Sequence, residues 1–360
     1  MTRMRSAACL TLLTVALGAC GPKGEPATDQ PPTLSAGAGA SGELVYVTNE
    51  DSRDLTVIDA ATDSVVATIP VGTRPRGVEV SPDGRTVYVA LTGSPKCPPT
   101  MPDEECEKLA SDKSKDGVAI VDVATRTTIK TIPAGSDPEE FDISADGTRL
   151  FVSNEDADSA SIVDLASGRP VANVKVGDEP EGVTVAPDGK TVWVTGETDH
   201  DITGFDAATG AIVARIDVLG QRPRSIGFLP DGSRAYVTNE MSSTVSVVDM
   251  VARKTLRQIT MPADSRPMSI VVTPDGRRIY ISNGRGKTIS AIDPATDAVT
   301  ATVEVGVRPW GIALSSDGRK LYTANGPGND VTVLDTETMT VLKRIPAGTI
   351  PWGVAIGPKP

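Results

Sequence analysis

A proline with charged or aromatic neighbours recurs seven times along this 360-residue chain, each time leading into a short apolar run. The neighbours read Arg74 and Arg76; Asp137, Glu139 and Glu140; Glu179 and Glu181; Arg222 and Arg224; Arg266 and Met268; Arg308 and Trp310; Ile350 and Trp352. Arginines in such a set can clamp a carboxylate through paired, charge-assisted hydrogen bonds, with a tryptophan face beneath the ligand. The chemistry on offer is recognition of a small organic anion, such as a carboxylate or a quinone acid. The same charges can instead pair between neighbouring repeats, Arg76 with Asp137 and Glu181 with Arg224, as half-exposed salt bridges contributing about 0–1 kcal/mol each. The acidic arc, with Glu155, Asp156 and Asp199, could also hold a cation, but no EF-hand spacing is present and no metal is expected. His200 is the single histidine and could act as a general base oriented by Asp199 or Asp201, yet nothing nucleophilic is placed beside it. Covalent-haem, nucleophile-elbow, zinc-protease and phosphate-loop motifs are all missing. No catalytic residue and no cofactor is assigned.

The element that must position these residues is a repeat. From Arg308 to Asp335 the chain reads as a short apolar run (Gly311 to Leu314), a Ser-Ser-Asp-Gly turn, a second run (Lys320 to Ala324), a Gly/Pro/Asn loop and a third, alternating run (Val331 to Leu334). A fourth run, Val341 to Ile345, follows a Thr-Glu-Thr turn. Four short antiparallel strands in about 42 residues make one propeller blade, because a lone sheet of this size cannot bury both faces and must stack on sisters. The aspartate closing the third strand appears seven times, at Asp59, Asp122, Asp164, Asp206, Asp249, Asp293 and Asp335. An Asp-Gly turn between the first two strands appears six times, because the chain starts at a second strand near Leu44 and ends on a first strand, Gly353 to Ile356. The expected fold is all-β, a seven-bladed β-propeller over residues 43–360, closed by the C-terminal strand joining the N-terminal blade and leaving no free edge. The repeated aspartates and Asp-Gly pairs read as turn chemistry, as do Asn49, Asn154, Asn239, Asn283 and Asn325. In a meander of this kind the loop leading to the innermost strand and the loop between the second and third strands share one face. The seven proline-flanking sets therefore form a ring at the channel mouth, with carboxylates on blades three and four, arginines on either side, and Trp310 and Trp352 together at the closure.

Residues 1–19 carry Arg3 and Arg5 and an apolar stretch from Ala7 to Leu17, too short for a comfortable membrane span and suited to a secretory signal. They end Leu17-Gly18-Ala19-Cys20, which resembles the bacterial lipobox. That resemblance implies cleavage before Cys20 and a lipid anchor there, with Gly21 favouring the outer membrane. Residues 20–42 are rich in Pro, Gly, Ser and Ala and read as a disordered tether. Loss of residues 1–19 moves the formal charge from −12 to −14, which argues against nucleic acid as a partner. Cys97 and Cys106 lie in an insertion, residues 91–116 of the second blade, that stretches the Asp59-to-Asp122 interval to 63 residues. In an oxidising compartment they are expected to form a disulfide contributing on the order of 2–3 kcal/mol against local disorder; two cysteines alone are too few ligands for zinc.

Tyr46-Val47-Thr48-Asn49 and Tyr236-Val237-Thr238-Asn239 are copies of the signature of YVTN-repeat β-propellers, and Phe151-Val152-Ser153-Asn154 is a variant. Arg74-Pro75-Arg76-Gly77, Gly135-Ser136-Asp137-Pro138-Glu139, Arg308-Pro309-Trp310-Gly311-Ile312-Ala313 and Thr323-Ala324-Asn325-Gly326-Pro327 resemble the propellers associated with PQQ-dependent alcohol catabolism. This resemblance implies a periplasm-facing propeller in the company of quinoprotein dehydrogenases and an ABC transporter. PQQ as a resident cofactor is not expected, because this chain lacks the tryptophan-bearing blade motifs of quinoprotein propellers. Two function classes follow. The favoured one is a non-catalytic, lipid-anchored monomer of the cell envelope that binds a small anion, or a quinoprotein dehydrogenase or transporter component. Its ligand residues are Arg74, Arg76, Asp137, Glu139, Glu179, Glu181, Arg222, Arg224, Arg266, Arg308, Trp310 and Trp352. The alternative is a propeller hydrolase of the lactonase type, which needs a metal or an acid/base cluster in the channel.

Overall fold

The computed structural model describes residues 42–96, 101, 105 and 108–359. The expected signal, the acylated Cys20, nearly all of the tether and the Cys97–Cys106 disulfide lie outside the described residues. Seven four-stranded antiparallel sheets make up the ring. In the first blade the innermost strand is Pro351–Pro358, followed outward by Glu43–Asn49, Asp54–Asp59 and Ser64–Pro70. Val45 stands opposite Ile356 and Val47 opposite Val354, so the last strand closes the ring on the first blade as the repeat count requires. The innermost strands of blades two to seven are Pro75–Val80, Pro138–Ile143, Pro180–Val185, Pro223–Phe228, Pro267–Val272 and Pro309–Leu314.

The core is distributed over seven seams. Each apolar cluster joins two adjacent blades, as where Tyr46 and Leu55 of blade one meet Val87 and Val89 of blade two, or Tyr322 and Val333 of blade seven meet Val45 and Ile58 of blade one. No blade holds a complete core of its own, which is why the fold needs its closing strand. Three second-strand tyrosines reinforce the seams, Tyr280 Oη donating to the Thr336 carbonyl at 3.2 Å between blades six and seven. Tyr322 Oη donates to Asp63 at 2.6 Å across the closure, and Tyr236 Oη donates to Asp297 at 2.7 Å between blades five and six.

The repeated aspartates serve turns, as expected. Asp59 Oδ1 accepts the Ala61 amide at 2.9 Å, and Asp335 Oδ1 accepts the Thr338 amide at 2.7 Å. In the Asp-Gly turns glycine supplies a left-handed φ, +70° at Gly84 and +67° at Gly276. The asparagines differ from the expectation. Asn49, Asn154, Asn239, Asn283 and Asn325 are fully buried, and each donates from Nδ2 to a hydroxyl seven residues on, for example Asn154 to Ser161 at 2.9 Å and Asn325 to Thr332 at 2.8 Å. They tie the second strand to the third instead of shaping a turn.

One local device bears directly on the channel. In every blade the ladder between the innermost and second strands is interrupted just after the opening proline, as between Pro180 and Val183 or Pro223 and Ile226. The hydroxyl at the third place of the YVTN-type segment fills that gap in five blades. Thr48 accepts the Gly353 amide at 2.8 Å and donates to the Arg76 carbonyl of the next blade at 2.7 Å. Ser153 likewise accepts the Glu140 amide at 3.2 Å and donates to the Glu181 carbonyl at 2.5 Å. Thr195, Thr238 and Ser282 repeat the pattern. Each hydroxyl thus holds two backbones that carry channel-mouth side chains.

Candidate functional site

Three positions per blade build the mouth. The residue before each proline, Arg74, Asp137, Glu179, Arg222, Arg266, Arg308 or Ile350, has φ between +42° and +56°. That conformation is costly for a side chain with a Cβ. It turns the chain sharply and frees the carbonyl, which accepts the first amide of the second-to-third-strand loop: Glu155 to Asp137 at 3.1 Å, Glu197 to Glu179 at 3.0 Å, Glu240 to Arg222 at 2.9 Å. Those loop residues bring glutamates to the mouth in four blades, Glu50, Glu155, Glu197 and Glu240. The residue after each proline points the third set inward: Arg76, Glu139, Glu181, Arg224, Met268, Trp310 and Trp352.

These sets meet in an ion-paired cluster. Arg224 contacts Glu181 and lies 2.9 Å from Glu197 and 2.8 Å from Glu240. Arg222 contacts Glu197. Arg76 contacts Glu139 and lies 3.7 Å from Glu50 and 3.9 Å from Glu155, while Arg74 is 2.9 Å from Glu50. The expected Glu181–Arg224 pair is present. The expected Arg76–Asp137 pair is not: Asp137 is taken by the Thr92 hydroxyl, and Arg76 turns to the three glutamates. Nor are the pairs half exposed, since Glu50, Glu139 and Glu197 are all buried. Removing one partner therefore strands a charge away from water. The arginines are not free clamps awaiting an anion. Their partners include, beyond the expected Glu181, the glutamates Glu50, Glu155, Glu197 and Glu240 of the second-to-third-strand loops, which the spacing of the proline-flanking residues does not bring to them.

The other expected site residues occupy the rim. Glu179 accepts the Thr198 hydroxyl at 2.7 Å, Arg266 lies 3.7 Å from Asp264, and Arg308 stacks over Trp310 at 5.0 Å. Trp310 and Trp352 do sit together, with ring centroids 6.1 Å apart, and Arg76 lies over Trp352 at 5.6 Å. His200 has φ +58° and holds the Glu197 carbonyl through Nδ1 at 2.9 Å. Asp199 and Asp201 turn to Arg215, so neither orients the ring as expected. Carboxylate oxygens of Asp137, Glu139 and Glu155 lie within 4.8 Å of one another, but Arg76 and Thr92 already supply their counter-charge and hydrogen bond. Of the expected cation arc, Glu155 joins Asp137 and Glu139, whereas Asp156 pairs with Lys113 and Asp199 lies 3.9 Å from Arg215.

Below the mouth runs a channel of about 510 Å³, lined by residues from all seven innermost strands. Glu79, Glu140, Asp142, Glu181 and Arg224 are its ionisable lining. Glu140 is the exception in its register: the matching places hold Gly77, Gly182, Ser225, Ser269, Gly311 and Gly353. A Cβ is unwelcome there, since one built at Gly311 lies 2.6 Å from the Trp352 carbonyl. A glutamate at this crowded position, with Glu50, Glu197 and Glu240 following the YVTN-type segments, was visible in the aligned repeats. Glu79 and Asp142 carried no such signal.

The environment splits these carboxyls into different protonation states. Burial, then the charge of Glu181, raises Glu140 to about 8. The same two causes, partly offset by Arg76, raise Glu155 to about 7. Burial and the adjoining Glu181 raise Glu197 to about 8 against the pull of Arg224. Burial also pushes Glu181 up, but Arg224, a hydrogen bond from Glu197 and Arg76 outweigh it and hold Glu181 below the usual range. Deeper in the channel, burial raises Asp142 to about 6. Burial, with the charges of Asp142 and Glu140, raises Glu79 well above the usual range. Carboxyls pushed apart in this way can act as acid and base in one site.

This has a stability consequence. Between its ordinary value of 4.5 and about 8, Glu140 keeps in the folded chain a proton that it loses in the unfolded one. Its contribution is therefore fully present below the lower value and is lost as pH rises through the upper one. Glu140→Gln is expected to melt about 2–4 °C above wild type near pH 9, with the gap closing near pH 5. Thermal denaturation across that range checks it, and a gap independent of pH would contradict the assignment.

The family model for "Lactonase, 7-bladed beta-propeller" matches residues 39–172 and 207–349. Among curated proteins, Antigen Lp49 of Leptospira interrogans is 29% identical over 117 residues, covering 32% of this chain and 24% of that protein. The chain thus spans about a quarter of the length of the curated relative it matches. Among solved structures, hydrazine synthase of Kuenenia stuttgartiensis is similar with a TM-score of 0.66 and 23% identity, over 78% of this chain and 89% of that one. A Bacteroides uniformis protein put forward as a 6-phosphogluconolactonase aligns with a TM-score of 0.70 and 18% identity, over 88% and 100% of the two chains. A Bacteroides fragilis protein put forward for the same activity aligns with a TM-score of 0.71 and 17% identity, over 90% and 100%. At such identities these structures speak to the fold. The family match overturns the non-catalytic, quinone-linked binder as the leading reading and favours the hydrolase alternative.

Proposed function

Because the chain belongs to the lactonase family of seven-bladed β-propellers, we propose that its channel mouth hydrolyses a lactone by general acid–base catalysis. The observation that carries this reading is the cluster of Arg76 and Arg224 with Glu140, Glu155, Glu181 and Glu197, of which Glu140, Glu181 and Arg224 line a channel of about 510 Å³. Glu155 is the base: it is poised near neutrality beside Arg76 and takes a proton from the attacking water. The water oxygen bonds to the lactone carbonyl carbon, and Arg224 and Arg76 meet the negative charge that develops on the carbonyl oxygen. Glu140 holds a proton at neutral pH and gives it to the ring oxygen as the C–O bond breaks. The product is a hydroxy acid, and proton exchange with solvent resets the two carboxyls. Glu181, kept ionised, fixes Arg224 in place and lifts its neighbours.

The test is base consumption by purified protein with γ- and δ-lactones bearing sugar, phosphorylated, alkyl and aryl groups. At least one is expected to be opened with kcat/KM on the order of 10⁴ M⁻¹s⁻¹ or more. A panel opened no faster than in buffer would sink the reading. Location forms part of the same proposal: a lipid at Cys20 would display the channel, as a monomer, on the periplasmic side of a membrane. Cys20→Ser is expected to leave the lactonase activity intact and to shift the protein out of the lipid-anchored membrane fraction. An unchanged partition would contradict the anchor.

A further inference from the structure

The channel is two-sided. Its ionisable lining, Glu79, Glu140, Asp142, Glu181 and Arg224, comes entirely from blades two to five. Blades six, seven and one supply an apolar arc that includes Met268, Ile270, Trp310, Ile312, Trp352 and Val354, with no ionisable side chain among the described lining residues. Within this arc the two indoles touch at a 50° tilt, and each is fixed by a guanidinium over its ring, Arg308 on Trp310 and Arg76 on Trp352. Arg76 thereby ties the aromatic pair to the acid–base cluster, because the same guanidinium lies 3.9 Å from Glu155. The arc adjoins that cluster through Arg76, so it is the surface next to a lactone whose carbonyl is held there.

We propose, resting on the lactonase reading above, that the Trp310–Trp352 wall selects substrates whose non-reacting substituent is an alkyl chain or an aryl ring. Such a group gains by leaving water for the indole and aliphatic surface. A polyhydroxylated ring placed there would bring more hydroxyls than the arc's few polar groups, the Trp310 indole N–H and the hydroxyls of Ser269, Ser315 and Ser316, can pair, and a site discriminates most strongly through groups left unpaired. The six-membered edge of Trp310 packs on Gly326, where an added Cβ would lie 3.1 Å from Cζ3, so the wall is a fixed surface and not a loop that moulds to any ligand.

The experiment uses the full chain and two readouts. Rates are measured for δ-lactones with substituents from methyl to heptyl, with glucono-δ-lactone as the polar comparison. Separately, a δ-lactam carrying the heptyl chain and an unsubstituted δ-lactam are titrated by tryptophan emission. The chain has three tryptophans; the third, Trp193, is buried in the seam between blades four and five and is a constant background. The expected result is a rise in kcat/KM of about fourfold per added methylene until the channel is filled, with glucono-δ-lactone far below the series. Trp352→Leu is expected to flatten that slope, and the heptyl lactam alone is expected to change the emission saturably. A series without slope, a slope untouched by Trp352→Leu, or glucono-δ-lactone as the best substrate would overturn the wall while leaving the hydrolase standing. If no lactone is opened the hydrolase reading falls, and the lactam titration still decides the wall: saturable change with the heptyl lactam supports it, and none refutes it.

Discussion

Glu155→Gln is expected to lower kcat by about 10²- to 10⁴-fold, the range spanned by loss of a positioned general base. Glutamine keeps the size of the side chain and cannot take a proton from water. The loop that carries it is held by the backbone bond from Glu155 to Asp137, so the fold should be unaffected. The pH profile makes the prediction specific. A base must be ionised, so wild-type activity should rise as pH passes about 7, where Glu155 titrates. An acid must keep its proton, so activity should fall beyond about 8, where Glu140 loses its own. Glu155→Gln should abolish the rising limb and spare the falling one. A variant with more than half the wild-type rate, or with the rising limb intact, would remove Glu155 from the mechanism.

Deleting residues 351–360 is expected to abolish the folded monomer altogether. The deletion takes the innermost strand from the first blade, bares the edge of Glu43–Asn49 and removes Trp352 from the channel wall. It also opens both seams of that blade, since the Gly353 backbone packs against Arg76 on one side and Gly311 packs against Trp352 on the other. Aggregation and loss of a cooperative melting transition are the expected readings in sedimentation and calorimetry. A soluble, monomeric truncation melting like wild type would contradict a ring closed by its C-terminal strand.

Much of this architecture is legible in the residues because a repeat is its own alignment. Asp59 and its six counterparts count the blades, and the six Asp-Gly turns reveal which blade is assembled from both ends of the chain. The pairing of Trp310 with Trp352 follows from the same count, since it places them on adjacent blades across the closure. The asparagines misled because their burial is a product of blade stacking, which local turn chemistry does not contain. The arginines misled for a related reason. The pairing of Arg224 with Glu181 is readable from neighbouring blades, but Glu197 and Glu240 reach the same guanidinium only through loops that the folded ring brings in, so a two-residue pair becomes a buried cluster. Glu140 was the readable clue, a glutamate where every other blade places glycine or serine. The split protonation of the carboxyls was not readable, because it arises from burial and from charges that only the closed ring brings together.

The most direct test of the account is the fate of solvent oxygen during lactone opening in H₂¹⁸O, followed by mass spectrometry of the hydroxy acid. Wild type is expected to place one ¹⁸O per turnover in the product carboxylate and none in the hydroxyl, at a rate well above buffer, with Glu155→Gln slower by about 10²- to 10⁴-fold. Label in the hydroxyl, or an enzyme-independent rate for every lactone tried, would contradict water attack at the carbonyl carbon in this channel.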